Sequence, residues 1–466
     1  MAKAIDKQAS VKINKIKTTT DVLTSRGGLA FFAKYLEETQ VLVFLQSLFG
    51  LLRKSRKGQR IEIIFKQMLC FLMDGTSRHL TYFDHLKPDK GYAAGLELRP
   101  DGMLSSHSVK RFYNAFTMPM IWMFRKALRQ LFLWRLRLEK PAVIYLGLDS
   151  MVLNNEEAKK RDGVQPTYKK VNGFHPLQLT WNRFIVDASF RGGKMHGNHG
   201  CGAVQMVTQT VKWIRKHYQA DVPIVLVSDS GFYDQKLFQA WEKLGIGYVC
   251  SGKIDDGLTE FAEQIGEAEV WETYQKGKQK WKYYDWNDER KHWTEERRTI
   301  LCRFDPSGPQ QVFEAFRPLT VLYTNLGMGG TIDERLQACG RGELLDAAAV
   351  VKTAHGRGKD ELVHRALKEF AFEELPFQHF APNAAFYYTM VMAHFLYECF
   401  KEDVCADVVP VVSYANTLRR KIMDLAAKIV RHGGQIWIQF TQSAFTAFQL
   451  DTLWKKSLSP PRLSWT

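Results

Sequence analysis

The chain has 466 residues, 45% hydrophobic and 24% charged, with 65 Lys+Arg against 49 Asp+Glu and a formal net charge of +16. That length corresponds to about three domains with cores large enough to need no staples, and the composition excludes a collagen-like or low-complexity chain. The positive balance suits a polyanion, because each cation set against a phosphate releases condensed counterions; a merely basic soluble protein is the alternative.

The seven cysteines are odd in number and include no CxxC pair. Cys70 in MLCFLM and Cys250 in YVCSG sit in apolar runs, which reads as reduced, buried thiols of a cytoplasmic protein and excludes a zinc site built on Cys pairs. The first residues, MAKAIDKQASVKINKIKT, have no apolar core and so are not a signal peptide. The most apolar stretch, Val41 to Leu52, is interrupted by Gln46 and is too short to span a bilayer.

Residues 1–20 read as a polar, basic arm. Residues 1–136 form a helical N-terminal region, with apolar residues at three- and four-residue steps in GGLAFFAKYLEETQVLVFLQSLFGLL and IEIIFKQMLCFLM. The basic cluster LRKSRKGQR lies between them. In SSHSVKRFYNAF, Ser105 or Ser106 would cap a helix bearing Lys110 and Arg111, which reads as a DNA-contacting helix or as an ordinary solvated face.

The pattern changes at Pro141. AVIYLGLDS is a nearly all-apolar run that stops at Asp149, as a buried strand would; LQLTWNRFIVDASF follows as strand or hairpin, and AVQMVTQTVKWIRKHY as a helix. PIVLVSDSG repeats the first pattern and stops at Asp229, then a helix ends at Gly245 and IGYVCSG is another strand. Strands alternating with helices predict an α/β sheet over 137–256, with ligands at the carboxyl ends of its strands. Over 257–318, EVWETYQ, KWKYYDW, RRTILCRF and QQVFEAF predict an antiparallel β insertion. RPLTVLYTNL returns to the sheet in 319–400, and a helical tail runs from about Thr353 to the end. In its last part, 401–466, Leu418, Ile422, Leu425 and Ile429 form one apolar helical stripe closed by Gly433 and Gly434, a candidate surface for dimerisation.

Asp149 and Asp229 each close a buried strand. On neighbouring strands they would converge, and like charges so close require a cation; the alternative is a pair of Asp-capped turns. Hard divalent cations take oxygen ligands, and two of them together can drive phosphoryl transfer. In HGRGKDELVHRALKEF, Arg357, Glu361, His364 and Lys368 fall on one stripe of a helix, setting one carboxylate among cations; an exposed Arg357–Glu361 ion pair is the plainer account.

These segments resemble insertion-sequence transposases of the DDE type from bacteria, in the branch signed by Tyr, two residues, Arg, three residues, Glu, six residues, Lys. Here Arg357, Glu361 and Lys368 keep that spacing, whereas Ala354 stands at the Tyr position with His355 beside it. LGLDS, VSDSGF, the YTN at Tyr323 to Asn325, the β insertion and NAAFYY also match in order. The resemblance implies a ribonuclease-H-like α/β core with an inserted antiparallel β subdomain, flanked by helical regions. It implies that Asp149, Asp229 and Glu361 are catalytic and bind two Mg²⁺ (or Mn²⁺), and that water attacks a transposon-end phosphodiester in double-stranded DNA. The freed 3′-OH then attacks further DNA, in cut-and-paste transposition. Arg357 and Lys368 would clamp phosphates, with His364 on the same face. Two ends cut together imply a homodimer on DNA.

In related enzymes an aromatic of the β insertion supports a flipped base, which makes Trp271, Trp281, Trp286 and Trp293 candidates; cross-strand packing is the commoner role. RGGKMHGNHG lacks a GK[ST] ending, so nucleotide triphosphate binding is not expected, and His196 and His199 either touch DNA or close a turn. Asp187 is a spare acid ranked below the triad. Two alternatives stay open: a transposase-derived DNA-binding protein that no longer cuts, to which Ala354 lends weight, and a host nuclease of the same core.

Overall fold

The structure is a computed structural model that describes residues 13, 15–53, 58–195, 202–265, 271–276, 279–289, 293–305, 319–356 and 358–465. Most of the basic arm, part of LRKSRKGQR, the segment QQVFEAF, Arg357, His196 and His199 lie outside the described residues.

After β1 (Val22–Thr24), helices Leu29–Glu38, Val41–Phe49 and Ile61–Asp74 bury the faces that their apolar spacing predicts. The third stops where Gly75 turns left-handed at φ 65°, a conformation that costs glycine little. Ser105 caps helix Ser106–Asn114 by accepting from the Ser108 N–H at 3.2 Å; Val109, Phe112 and Tyr113 are buried while Lys110 and Arg111 are exposed. Helix Met118–Glu139 then runs to the sheet.

The sheet is built from β2 (Ile144–Ser150), which is followed by the short β3 (Leu153–Asn154), β4 (Gln165–Pro166) and β5 (Asn172–Phe174). Next come β6 (Leu177–Trp181), β7 (Phe184–Ser189), β8 (Ile224–Ser228), β9 (Gly247–Ser251), β10 (Glu272–Lys276), β11 (Gln279–Asp288), β12 (Arg297–Phe304) and β13 (Leu319–Thr324). Nine of these form one mixed sheet, in the order β10-β11-β12-β13-β9-β8-β2-β6-β7, and β3-β5-β4 form a small separate one. β2, β8 and β9 are parallel; the other pairs are antiparallel. Side chains alternate across the sheet, so Ile224 and Leu226 join the larger core while Val225 joins a second cluster on the opposite face. Helix Phe380–Phe400 is buried on all sides in the larger core, with Asn383, Thr389, His394 and Glu398 among its buried residues; helices Thr331–Ala338 and Ala347–His355 cover the second cluster. The molecule is therefore mixed α/β, with many helices around one large sheet.

The antiparallel strands expected in 257–318 are present as β10, β11 and β12; β12 pairs with β13, so they extend the main sheet, and an unanticipated helix, Asp256–Ile265, precedes them. One expectation is corrected. The C-terminal region is not wholly helical. β14 (Ala427–His432) and β15 (Gln435–Gln439) form a hairpin that joins β1 in a three-stranded sheet. Gly433 and Gly434 make its turn rather than closing a helix, and Ile429 belongs to a strand. Leu418 and Ile422 are fully buried in the larger core, which removes the stripe as a docking surface.

Candidate active site

β2 and β8 read as continuous apolar runs because neighbouring elements cover both of their faces, and every residue of β8 is buried. In their parallel register Leu148 stands opposite Ser228. The next residue on each chain is Asp149 and Asp229, so two carboxylates leave the sheet at the same level of one edge. Asp149 is 9% exposed, and its Oδ1 accepts from the Ser150 N–H at 2.7 Å. Asp229 opens a short helical turn and accepts from the Gly231 N–H at 2.9 Å. A Cβ at 231 would stand 2.9 Å from Asp229 Oδ1, so a larger residue there would push that carboxylate aside. From β9, the Cys250 thiol donates to the Asp229 carbonyl at 3.3 Å.

Helix Gly358–Ala371 approaches from outside the sheet. His364 on it is 9% exposed, and its Nδ1 lies 3.8 Å from Asp149 Oδ2. His364 is thus set against the first acid. Glu361 lies three residues earlier, close to one turn, on the same stripe of this helix, while its side chain is outside the described atoms. Lys368 is held by Glu373 Oε2 at 2.9 Å, beside a separate cleft that also involves Arg78 and Asn154. Among the described residues, no group of three or more His, Cys, Asp and Glu side chains is arranged to hold a metal ion.

A cleft of about 360 Å³ opens over the two aspartates, with His175, Thr167, Tyr168 and Lys194 on its other wall. Sequence reasoning did not single out these residues. They come from the β4–β5 segment and the Gly-rich turn, and GFHP and TYKK carry no motif that marks them. His175 ties this wall to the acid edge: its Nδ1 is 2.6 Å from the Met195 carbonyl and its Nε2 is 2.8 Å from Ser150 Oγ. A carbonyl only accepts, so Nδ1 carries the proton and, in the neutral ring, Nε2 accepts from the serine hydroxyl.

Asp187 is not part of the site. It is fully buried in β7, bound by Arg125 through two contacts of 2.8 and 2.7 Å and by Arg129 at 2.9 Å. Those arginines lie on helix Met118–Glu139, which this cluster fastens to the sheet. The tryptophans mostly pack. Trp281 is 5% exposed against Phe304 and His355, Trp271 and Trp286 lie on Tyr284, and Trp293 lies between Tyr323 and the Arg297 guanidinium. His355, beside the departed Tyr position, stacks on Tyr274 and Trp281 rather than reaching the acids.

Residues 5–456 match the family described as Transposase DDE domain group 1. A cryo-electron microscopy structure of a piggyBac transposase synaptic complex with hairpin DNA is similar, at 11% identity and a TM-score of 0.39, over 95% of this chain and 86% of that one. That likeness is too distant to assign residues. No curated protein matches the sequence. With nearly its whole length matched, the chain belongs to the transposase DDE domain family, group 1.

Proposed function

We propose that the protein cuts double-stranded DNA at the terminal inverted repeats of an insertion sequence and joins the freed ends to target DNA, with Asp149, Asp229 and Glu361 as its catalytic acids. The observation that carries this reading is the register of β2 and β8, which brings two carboxylates together beneath an open cleft, with the Glu361 helix anchored against one of them through His364. The strand order β7-β6-β2-β8-β9, antiparallel on one side of β2 and parallel on the other, supports a ribonuclease-H-like core over 137–256 and 319–400.

The residues fit a hard divalent cation. Two adjacent carboxylates repel each other unless a cation neutralises them, and their oxygen donors suit Mg²⁺ or Mn²⁺. Asp149, Asp229 and Glu361 would hold two such ions, which supply Lewis-acid activation of the attacking and leaving oxygens. The chain does the rest. The cleft walls orient the scissile strand, Lys194 meets phosphate, and His175 keeps Ser150 and the adjoining loop in place. Arg357 and Lys368 bind flanking phosphates, with Lys368 released from Glu373, and the exposed Lys110 and Arg111 of the 1–136 region contact DNA further out. Because two ends must be cut together, the working unit is a homodimer on DNA; a bacterial cytoplasm is the proposed setting.

The test is cleavage of DNA bearing the element's own ends with Mg²⁺, followed by joining of a 3′-OH to a second duplex. Wild-type rates in both Asp149→Ala and Glu361→Ala would overturn the assignment. Binding without cleavage under any divalent cation would favour a DNA-binding derivative, and cleavage without joining a nuclease.

A further inference from the structure

We propose that the C-terminal hairpin joins two copies of this chain, by antiparallel pairing of β15 with the partner's β15 about a two-fold axis through Trp437. Among the described residues β15 is an edge strand, flanked by β14 on one side only. Gly433 and Gly434 turn with φ of 57° and 77°, the two-residue turn with both central residues left-handed, and His432 pairs with Gln435 across it. In such a hairpin the closing pair is hydrogen-bonded and the pairs alternate from there. The backbone groups of Gln435, Trp437 and Gln439 therefore face β14, and those of Ile436 and Ile438 face outward.

Two features select a second copy as the occupant. The strand reads Gln-Ile-Trp-Ile-Gln, the same in both directions. An isologous interface needs that self-complementarity. About Trp437, Ile436 lies opposite the partner's Ile438, each donating to and accepting from the other, and the two three-stranded sheets become one of six strands. The second feature is charge. From Gly433 to Leu450 no residue is charged, in a chain of net charge +16. Two such molecules can meet along β15 itself without setting cation against cation, and the edge offers no charge of its own to a phosphate backbone; the cations of the hairpin, Lys428 and Arg431, lie on β14, one strand in from the edge. Exposed edges are ordinarily blunted by lysine, proline or a bulge; this one has none, and Ile436 and Trp437 are 46% and 48% exposed.

The pairing goes beyond the catalytic reading and is tested without DNA. The full chain is examined by sedimentation equilibrium at on the order of 50 µM, since an interface of this size is a small one. A dimer is expected. Ile438→Pro removes only an outward N–H and Ile436→Lys places a charge on the edge; each should weaken association at least tenfold with an unchanged circular dichroism spectrum. Trp437→Cys should cross-link to itself under mild oxidation, beyond the wild-type background, because directly opposed Cβ atoms lie about 4.5–5.5 Å apart. A monomer, a dimer indifferent to both edge variants, or a Trp437→Cys chain that does not cross-link would overturn the pairing. Asp149→Ala should dimerise like wild type, so a failure of the catalytic assignment leaves this result standing, and the reverse holds too.

Discussion

Asp187 and Asp149 stand on strands of the same sheet with only β6 between them, yet their surroundings differ in kind. Asp187 is sealed from water and closed by two guanidiniums from one helix. Asp149 stands at a strand end beneath a cleft, among a backbone N–H, a histidine and a second acid. Charge satisfied inside the protein fastens one element to another; charge gathered at an edge leaves an appetite for a cation and a substrate. The same residue type serves architecture or chemistry according to what neighbouring elements bring to it.

The sharpest way to break this comparison is to remove each acid. Asp149→Ala or Asp229→Ala should lower DNA cleavage by at least ~10³-fold, the scale of losing a residue that acts as one unit with its partners. The urea midpoint of either variant should stay near wild type, and a large fall would place that carboxylate with Asp187 instead. Asp187→Ala should do the opposite, destabilising the chain by about 3–5 kcal/mol because the buried Arg129 and the partly buried Arg125 lose their counter-charge. Cleavage per folded molecule should survive; a wild-type urea midpoint would show the cluster contributes nothing.

A buried histidine extends the comparison to pH. His394 lies in the core with no hydrogen bond to either ring nitrogen among the described atoms. Burial, helped by the Lys401 ammonium, holds its pKa down to about 3. Glu398 Oε1 stands 3.7 Å away but is engaged by Lys401 at 2.9 Å, so the ring remains neutral. The unfolded chain binds this proton below about pH 6.5 and the folded chain only near 3, so the stabilisation is present above 6.5 and is lost as pH falls through that window. His394→Gln should flatten the decline in unfolding free energy between pH 6.5 and 4 by roughly 3 kcal/mol, followed by urea titration at each pH. An unchanged acid limb would refute it. The smallest expected effect is at helix Ser106–Asn114: Ser105→Ala should cost about 1 kcal/mol of stability, read from the same titrations, by stripping a cap.

How much of this was legible in sequence depended on distance along the chain. β2 and β8 announce themselves because a strand covered on both faces is apolar throughout, and the acid that ends each run is visible for that reason. The C-terminal hairpin was misread because Leu418, Ile422, Leu425 and Ile429 keep helical spacing; the first two follow a helical turn into the core, while Ile429 alternates along a strand that ends at paired glycines. The role of Asp187 was hidden because its partners lie 62 and 58 residues away. His175 was invisible for a like reason: its meaning comes from Ser150 and Met195, which only the folded sheet edge brings near it.

The parallel register of Leu148 with Ser228 carries one more consequence. A strand turns successive side chains to opposite faces, so adding or deleting a single residue within either strand would aim its acid away from the other. The proposed catalytic pair is in effect a matched measure of two lengths. Small insertions and deletions ahead of Asp149 or Asp229 should therefore be tolerated less well than most point substitutions in the same strands.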